Sequence, residues 1–136
     1  MTLSSPLKTQ LEKPENTTLY AALLQQNQNL AAIGQRYTDI VWAAALFEGE
    51  GCISIFPNRR TVQLIVKMTD LDVMERLVNV AGYGNLRGPH ILKGLKPSWR
   101  WTVAKKTEVI RILKMFLPHF GKRRAEKAIE AINYIK

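Results

Sequence analysis

The sequence predicts an α+β domain in which two β-hairpins form one four-stranded antiparallel sheet with helices on a single face. Three observations predict it. An alanine-rich helical segment runs directly into an alternating strand near residue 50. Two hairpin patterns follow, each with one apolar face and one polar, basic face. Helical apolar stripes follow each hairpin, so the order from Asp39 is αββαββα with one further helix.

Residues 1–38 are expected to form an N-terminal extension made of a flexible arm and a helix, and residues 39–136 a single domain. The arm, residues 1–15, contains Pro6 and Pro14 and little periodicity. From about Thr17 apolar residues recur at helical spacing, which fits one helix or two short helices broken near residues 27–29. A helix-turn-helix over residues 28–37 is an alternative.

The first helix of the domain ends in an unusual acidic segment. Ala43, Ala44 and Ala45 favour a helix, and Gly49 is one of the glycines that favour its end. Glu50 therefore lies at the negative end of the helix dipole, where a carboxylate is unfavourable. A bound cation would resolve this conflict.

The strands and later helices follow from alternation and capping patterns. Residues 61–68 and 98–103 alternate between apolar and polar side chains, which places Trp99 and Trp101 in the core. Thr69 with Asp72 predicts a capping box for the middle helix, and Thr107 predicts the start of the next helix. The last helix is expected to turn the following residues inward: Ala125, Ala128, Ile129, Ile132 and Ile135.

Composition and charge limit the classes of partner and compartment that fit this sequence. A net charge of +9 on 136 residues indicates a polyanionic partner, and nucleic acid is the expected one. The single cysteine, Cys52, excludes an intrachain disulfide framework and a cysteine zinc site. No apolar run approaches the roughly 20 residues that span a bilayer, and no signal-peptide pattern is present. An intracellular protein is expected, in an organelle (chloroplast or mitochondrion) or a prokaryotic cytoplasm.

Residues 43–51, AAALFEGEG, resemble the signature of the LAGLIDADG homing endonucleases, whose eighth position is a metal-binding acid. The sequence departs from the signature at Ala43, where the family has leucine, at Ala45, where it has glycine, and at both acids, which are Glu rather than Asp. The resemblance covers about residues 39–136, since the order of elements also matches. It implies a saddle-shaped sheet whose open face binds DNA.

The resemblance implies a site-specific double-stranded DNA endonuclease of the single-motif type, a homodimer that cuts a long pseudo-palindromic target and is encoded in an intron. Phosphodiester hydrolysis would depend on Mg²⁺, with about two or three divalent ions per dimer. Mn²⁺ would substitute for Mg²⁺, and Ca²⁺ would bind without turnover. The expected metal ligands are Glu50 and the backbone carbonyl of Gly49.

The resemblance also implies site residues. The expected catalytic residues are Glu50, Lys67 and one of Lys105 and Lys106, with Lys106 favoured; a phosphate contact or a solvated strand residue is an equal alternative for Lys67. The expected dimer interface comprises Trp42, Ala43, Ala45, Leu46, Glu48 and Gly49, with helix capping as an alternative for Glu48. The expected DNA contacts are Arg59, Arg60, Gln63, Ile65, Arg87, His90, Lys93, Lys96, Arg100, Thr102, Lys122 and Arg123, and Arg124 is a further phosphate-binding candidate.

One alternative keeps the fold without cleavage: an intron RNA maturase or a DNA-binding regulator. Glu50 together with the lysines favours retained chemistry. A purely structural dimer would leave the net charge of +9 and the basic sheet face unexplained.

Overall fold

The computed structural model describes residues 17–136, and the predicted arm of residues 1–15 lies outside them. The described elements are α1 (Thr17–Glu50), β1 (Gly51–Phe56), β2 (Thr61–Met68), α2 (Leu71–Ala81), β3 (Asn85–His90), β4 (Ser98–Val103), α3 (Lys106–Phe116) and α4 (Lys122–Ile135), with short 3₁₀ turns at Pro57–Arg59 and Leu117–His119. This order confirms the predicted α+β class. Within residues 17–136 no helix combines the length and hydropathy needed to cross a membrane.

A boundary between two structural units falls between Thr38 and Asp39. On the N-terminal side, α1 is already helical from Thr17, without a break at residues 27–29. The helix-turn-helix alternative is therefore wrong, because residues 28–37 are helical throughout and contain no turn. This part of α1 carries no charged residue before Arg36. Its polar side chains include a hydrogen bond from Gln25 Nε2 to Asn29 Oδ1 at 3.0 Å.

In the C-terminal unit the four strands lie in the order β1-β2-β4-β3, and every neighbouring pair is antiparallel. The helices cover one face, where Leu64 and Trp101 of the sheet are fully buried together with Leu113 of α3. The core interpretation of the tryptophans is confirmed for Trp101, whose Nε1 donates to the carbonyl oxygen of Tyr83 at 2.9 Å, and Trp99 packs half-buried against the same core. Gly84, at φ +100°, leaves room that the Trp101 ring fills.

Three local predictions are wrong. The N-cap position of helix α2 is Asp70, one residue after Thr69, and its side chain makes no capping hydrogen bond; Asp72 therefore occupies N2 and no capping box forms. Helix α3 already begins at Lys106, so Thr107 lies inside it. In α4 Ile129 is 47% exposed, because the buried residues Ala128, Ala131, Ile132 and Ile135 follow the i, i+3, i+4, i+7 pattern, which leaves Ile129 outside the buried face.

Candidate nucleic-acid interface and metal site

The sheet face opposite the helices carries three cations in one row. Lys67 of β2 lies directly opposite Arg100 of β4, and Arg100 lies opposite Arg87 of β3. All three are exposed. Like charges at directly opposite positions destabilise a sheet, so a bound anion would relieve this repulsion. We call Lys67, Arg100 and Arg87 the cation row.

A groove of about 550 Å³ lies over the cation row. It is lined by Lys67, Asn85, Arg87, His90, Leu92, Arg100 and Thr102. None of these residues is acidic, and a smaller adjoining pocket of about 300 Å³ adds Lys96. The charge and the open shape suit a polyanion that lies across the strands.

Glu50 is the last residue of α1 and is exposed. The β1–β2 ladder pairs Gly51 with Val66, so Glu50 and Lys67 each lie one residue beyond that pair, at the same end of the ladder. Within the described residues no hydrogen bond or ion pair engages the Glu50 carboxylate. The fold therefore presents this carboxylate beside one end of the cation row.

The end of α1 suits a hard divalent cation. The last carbonyls of a helix, including that of Gly49, lack intrahelical partners and carry partial negative charge. Carboxylate and carbonyl oxygens are the ligands that Mg²⁺ prefers. Residues 17–136 contain no cluster of three or more His, Cys, Asp or Glu side chains that could hold a metal, so Glu50 offers a single carboxylate.

Glu48 has a different role from Glu50. Its Oε1 accepts a hydrogen bond from the backbone N–H of Gly121 at 2.8 Å, and its Oε2 lies 3.3 Å from Nε of Arg124. Arg124 Nη2 also donates to the Glu48 carbonyl at 3.0 Å. Gly121 is the N-cap residue of α4, so the Glu48 carboxylate caps that helix, as the capping alternative proposed; its interface role stays a prediction. Arg124 is thus engaged by Glu48 within the chain, and its phosphate contact stays a prediction.

We expect Glu48→Ala to lower the free energy of unfolding by about 1–2 kcal/mol, because α4 loses its cap and Arg124 loses its partner, with the ion pair discounted for exposure. Chemical denaturation would measure the change. Glu48→Gln keeps an acceptor for the Gly121 N–H and should lose less. Equal stability of Glu48→Ala and the wild type would contradict this assignment.

The alanine segment of α1 has two faces. Ala43 and Ala44 are fully buried in the core of their own chain, so the prediction that Ala43 contributes to a dimer interface is wrong. Ala45 and Gly49, one helical turn apart, are exposed. A Cβ added at Gly49 would meet nothing within 4 Å, so packing within the chain does not require glycine there.

The two other interface candidates are partly covered by their own chain. Trp42 and Leu46 are half-buried. The guanidinium of Arg76 lies 4.0 Å from the centre of the Trp42 ring, and Arg76 also pairs with Asp39 at 3.4 Å. One face of Trp42 is therefore occupied, and its interface role stays a prediction.

The predicted lysines after β4 do not lie near Glu50. Trp101 lies opposite Val66, the partner of Gly51, and Val103 lies opposite Leu64, so β4 runs away from the Glu50 end of the sheet. Lys105 and Lys106 follow Val103 and are exposed beyond the other end. The structure does not bring them together with Glu50, because the direction of β4 is set by its pairing with β2.

Lys122 and Arg123, by contrast, lie close to the end of α1. They begin α4 and line a pocket of about 310 Å³ with Glu48, Gly121 and Arg124. Sequence reasoning included them only as phosphate contacts. The contact between Glu48 and Gly121 joins residues 73 positions apart, and a single sequence carries no signal for such a contact.

The other predicted DNA contacts lie in three regions. Arg59 and Arg60 are exposed in the turn between β1 and β2, and Lys93 and Lys96 are exposed in the loop between β3 and β4. Ile65 lies opposite Thr102 and, with Gln63, is partly exposed on the open face. Their contacts with DNA stay predictions.

No protein-family model and no curated protein sequence gives a significant match to this chain. Solved structures do match. The homing endonuclease I-CvuI bound to an I-CreI target with magnesium has a TM-score of 0.59 at 17% identity, covering 74% of this chain and 68% of that one. I-CvuI bound to its own target with calcium gives 0.58 at 16%, with coverages of 74% and 68%.

The group I intron-encoded homing endonuclease I-CeuI, complexed with DNA, has a TM-score of 0.54 at 12% identity and covers 93% of this chain and 67% of that one. At such identities the likeness shows the fold. The chain therefore has the fold of the homing endonucleases I-CvuI and I-CeuI, which is the fold that the resemblance of residues 43–51 predicted.

Proposed function

We propose that this protein is a site-specific endonuclease of double-stranded DNA that acts as a homodimer and requires a divalent cation, Mg²⁺ in the cell. One observation carries the proposal: Glu50, an exposed carboxylate, lies at the same end of the β1–β2 ladder as Lys67, which begins the cation row. A carboxylate that can bind a metal ion, Glu50, thus lies next to the cation row, which can bind phosphates. An intron origin, as for I-CeuI, is part of the proposal.

The open sheet face is the proposed DNA-binding surface. The major groove of B-DNA, about 12 Å wide, admits a two-stranded β-ribbon. Phosphates near the groove would neutralise the cation row, and Arg and Gln side chains on this face would reach base edges. The solved complexes of I-CvuI and I-CeuI contain DNA, which supports the same class of ligand here.

The catalytic site is proposed to form at the end of α1. Glu50 and the Gly49 carbonyl would hold the divalent cation. When bound, such an ion supplies Lewis-acid stabilisation of the phosphoryl oxygens and an activated water. Lys67 provides a fixed positive charge for the scissile phosphate, and Lys122 and Arg123 place further positive charge near the same helix end. Lys105 and Lys106 are left out of the proposed site because of their position.

A homodimer would provide a second carboxylate. Glu50 is a single carboxylate, and a second copy of the chain would give the site the two carboxylates that a metal ion can use together with phosphate oxygens and water. A two-fold axis along the Ala45–Gly49 face of α1 would bring the second Glu50 to the first. Small exposed residues on that face allow two helices to approach closely.

We expect Gly49→Ala to weaken the dimer about tenfold to a hundredfold, because overpacking a close helix contact costs about 1–3 kcal/mol. The folded monomer should be unaffected or stabilised by up to about 1 kcal/mol, since alanine is the better helix former. Sedimentation velocity across a concentration series measures the first effect, and denaturation in the monomeric range measures the second.

Gly34→Ala is the matched control for Gly49→Ala. Gly34 lies in the same helix and also has open space around its Cβ position, but it lies outside the proposed interface. Its replacement should leave dimerisation unchanged. Equal weakening by the two substitutions, or none by either, would contradict the interface.

Incubation of the full chain with a random library of duplex DNA and Mg²⁺, followed by sequencing of the cut ends, tests the proposed function. We expect double-strand cuts within one related set of pseudo-palindromic sites. Selection of duplexes that bind without being cut would indicate a regulator, and tight binding of structured RNA with no bound duplex would indicate a maturase. Either result would overturn the nuclease assignment.

A further inference from the structure

The loop between β3 and β4 presents apolar side chains to solvent at its tip. Ile91, Leu92 and Leu95 are 72%, 55% and 65% exposed. The loop has a defined turn, since the N–H of Leu95 donates to the carbonyl oxygen of Leu92 at 3.0 Å and Gly94 has φ +80°. The turn therefore defines the backbone positions of Leu92 and Leu95 relative to each other.

One of the three apolar side chains lines the basic groove, and a second lines the pocket that adjoins it. Leu92 lines the groove over the cation row together with Lys67 and Arg100. Leu92 and Leu95 also line the adjoining pocket. Ile91 lines neither of them, although it is the most exposed of the three. An anion that fills the groove must therefore touch Leu92.

The ligand of this surface must combine strong negative charge with an apolar group at its edge. No acidic residue lines the groove, so an anionic ligand meets no repulsion there. A protein surface fits less well, because Lys93 and Lys96 flank the leucines and lysine is depleted in the cores of protein interfaces. In the major groove of DNA the apolar group is the C5-methyl of thymine.

We propose that Leu92, supported by Leu95, contacts thymine methyl groups and makes the protein select thymine at the positions under the β3–β4 tip. The inference rests on the proposed function. It also predicts that the protein prefers DNA to RNA. Uracil lacks the methyl group, and the narrow major groove of A-form RNA would not admit the tip.

Replacing thymine by deoxyuridine, one position at a time, in a duplex selected from the random library tests this inference. Each replacement removes one methyl group and leaves the hydrogen-bonding edge unchanged. Where the methyl contacts Leu92, we expect about fourfold weaker binding, the equivalent of about 0.8 kcal/mol for one buried carbon. Such positions should occur symmetrically, once or twice in each half-site.

The protein variants identify the side chain responsible. In Leu92→Ser the thymine and deoxyuridine duplexes should bind equally, whereas Ile91→Ser, the matched exposed control, should keep the fourfold difference. A selected duplex that binds equally with and without its methyl groups would overturn this inference alone. The inference would also be overturned if Ile91→Ser lost the difference between the thymine and deoxyuridine duplexes while Leu92→Ser kept it. Failure to select any duplex would overturn the proposed function together with it.

Discussion

Glu50→Gln is expected to lower the rate of DNA cleavage by at least about a thousandfold, the several kcal/mol that metal-assisted charge stabilisation contributes. Glutamine keeps the size of the side chain but removes the charge that holds a divalent cation. The fold should be unaffected, because no hydrogen bond or ion pair of the described residues depends on the Glu50 carboxylate. Single-turnover cleavage measures the loss, and a binding titration without metal should show affinity within about twofold of the wild type, since the cation row is intact.

Glu130→Gln is the matched control, since it removes the same charge from an exposed carboxylate that lies 3.8 Å from Lys127 on α4. It should cleave at the wild-type rate. Wild-type cleavage by Glu50→Gln would show that this carboxylate is not a metal ligand, and a comparable loss in Glu130→Gln would show a general effect of charge.

Mixing the wild type with Glu50→Gln tests the sharing of the site between two copies. If each strand cut needs both carboxylates, an equal mixture with random exchange should retain about one quarter of the strand cuts, because the mixed dimers are inactive. If each copy cut one strand alone, the mixed dimers would nick the DNA and about half of the strand cuts would remain. That second outcome would contradict a composite site while leaving Glu50 as a ligand.

Much of the fold follows from periodicity in the sequence. Period-two alternation in residues 61–68 and 98–103 marks both the strands and their buried faces, because neighbouring side chains in a strand point to opposite sides of the sheet. Trp101 could therefore be assigned to the core without a structure. Glu50 could be singled out for a local reason as well, since a carboxylate at a helix C-terminus conflicts with the dipole.

Contacts between distant segments could not be predicted in this way. The end of the sheet at which Lys105 lies depends on β4 pairing with β2, which periodicity does not reveal. The same limit applies to Glu48, whose capping contact with Gly121 crosses from α1 to α4. The position of Ala43 could not be predicted for a related reason, because small side chains suit an exposed dimer interface and a tightly packed core equally well.

Phe47→Ala is expected to lower the free energy of unfolding by about 3–5 kcal/mol, the usual cost of removing a buried phenyl ring. Phe47 is fully buried, and its ring centre lies 6.0 Å from that of Phe116 and 5.9 Å from that of Phe120. The guanidinium of Arg124 lies 5.5 Å from the same ring. Thermal and chemical denaturation would measure the loss, which is a large part of the roughly 5–15 kcal/mol that stabilises a typical domain.

Leu46→Ala is the control for Phe47→Ala, because Leu46 is the adjacent residue and is only half-buried. It should cost clearly less stability, and equal losses would contradict the central role of Phe47. The ring also fills the space where a Cβ at Gly51 would lie, so Phe47 packs directly against the residue that follows Glu50. Phe47→Leu, which retains much of the apolar volume, should therefore recover part of the stability but less of the cleavage rate. Catalysis depends on where the last turn of α1 holds its carboxylate, whereas stability depends mainly on the apolar volume that is buried.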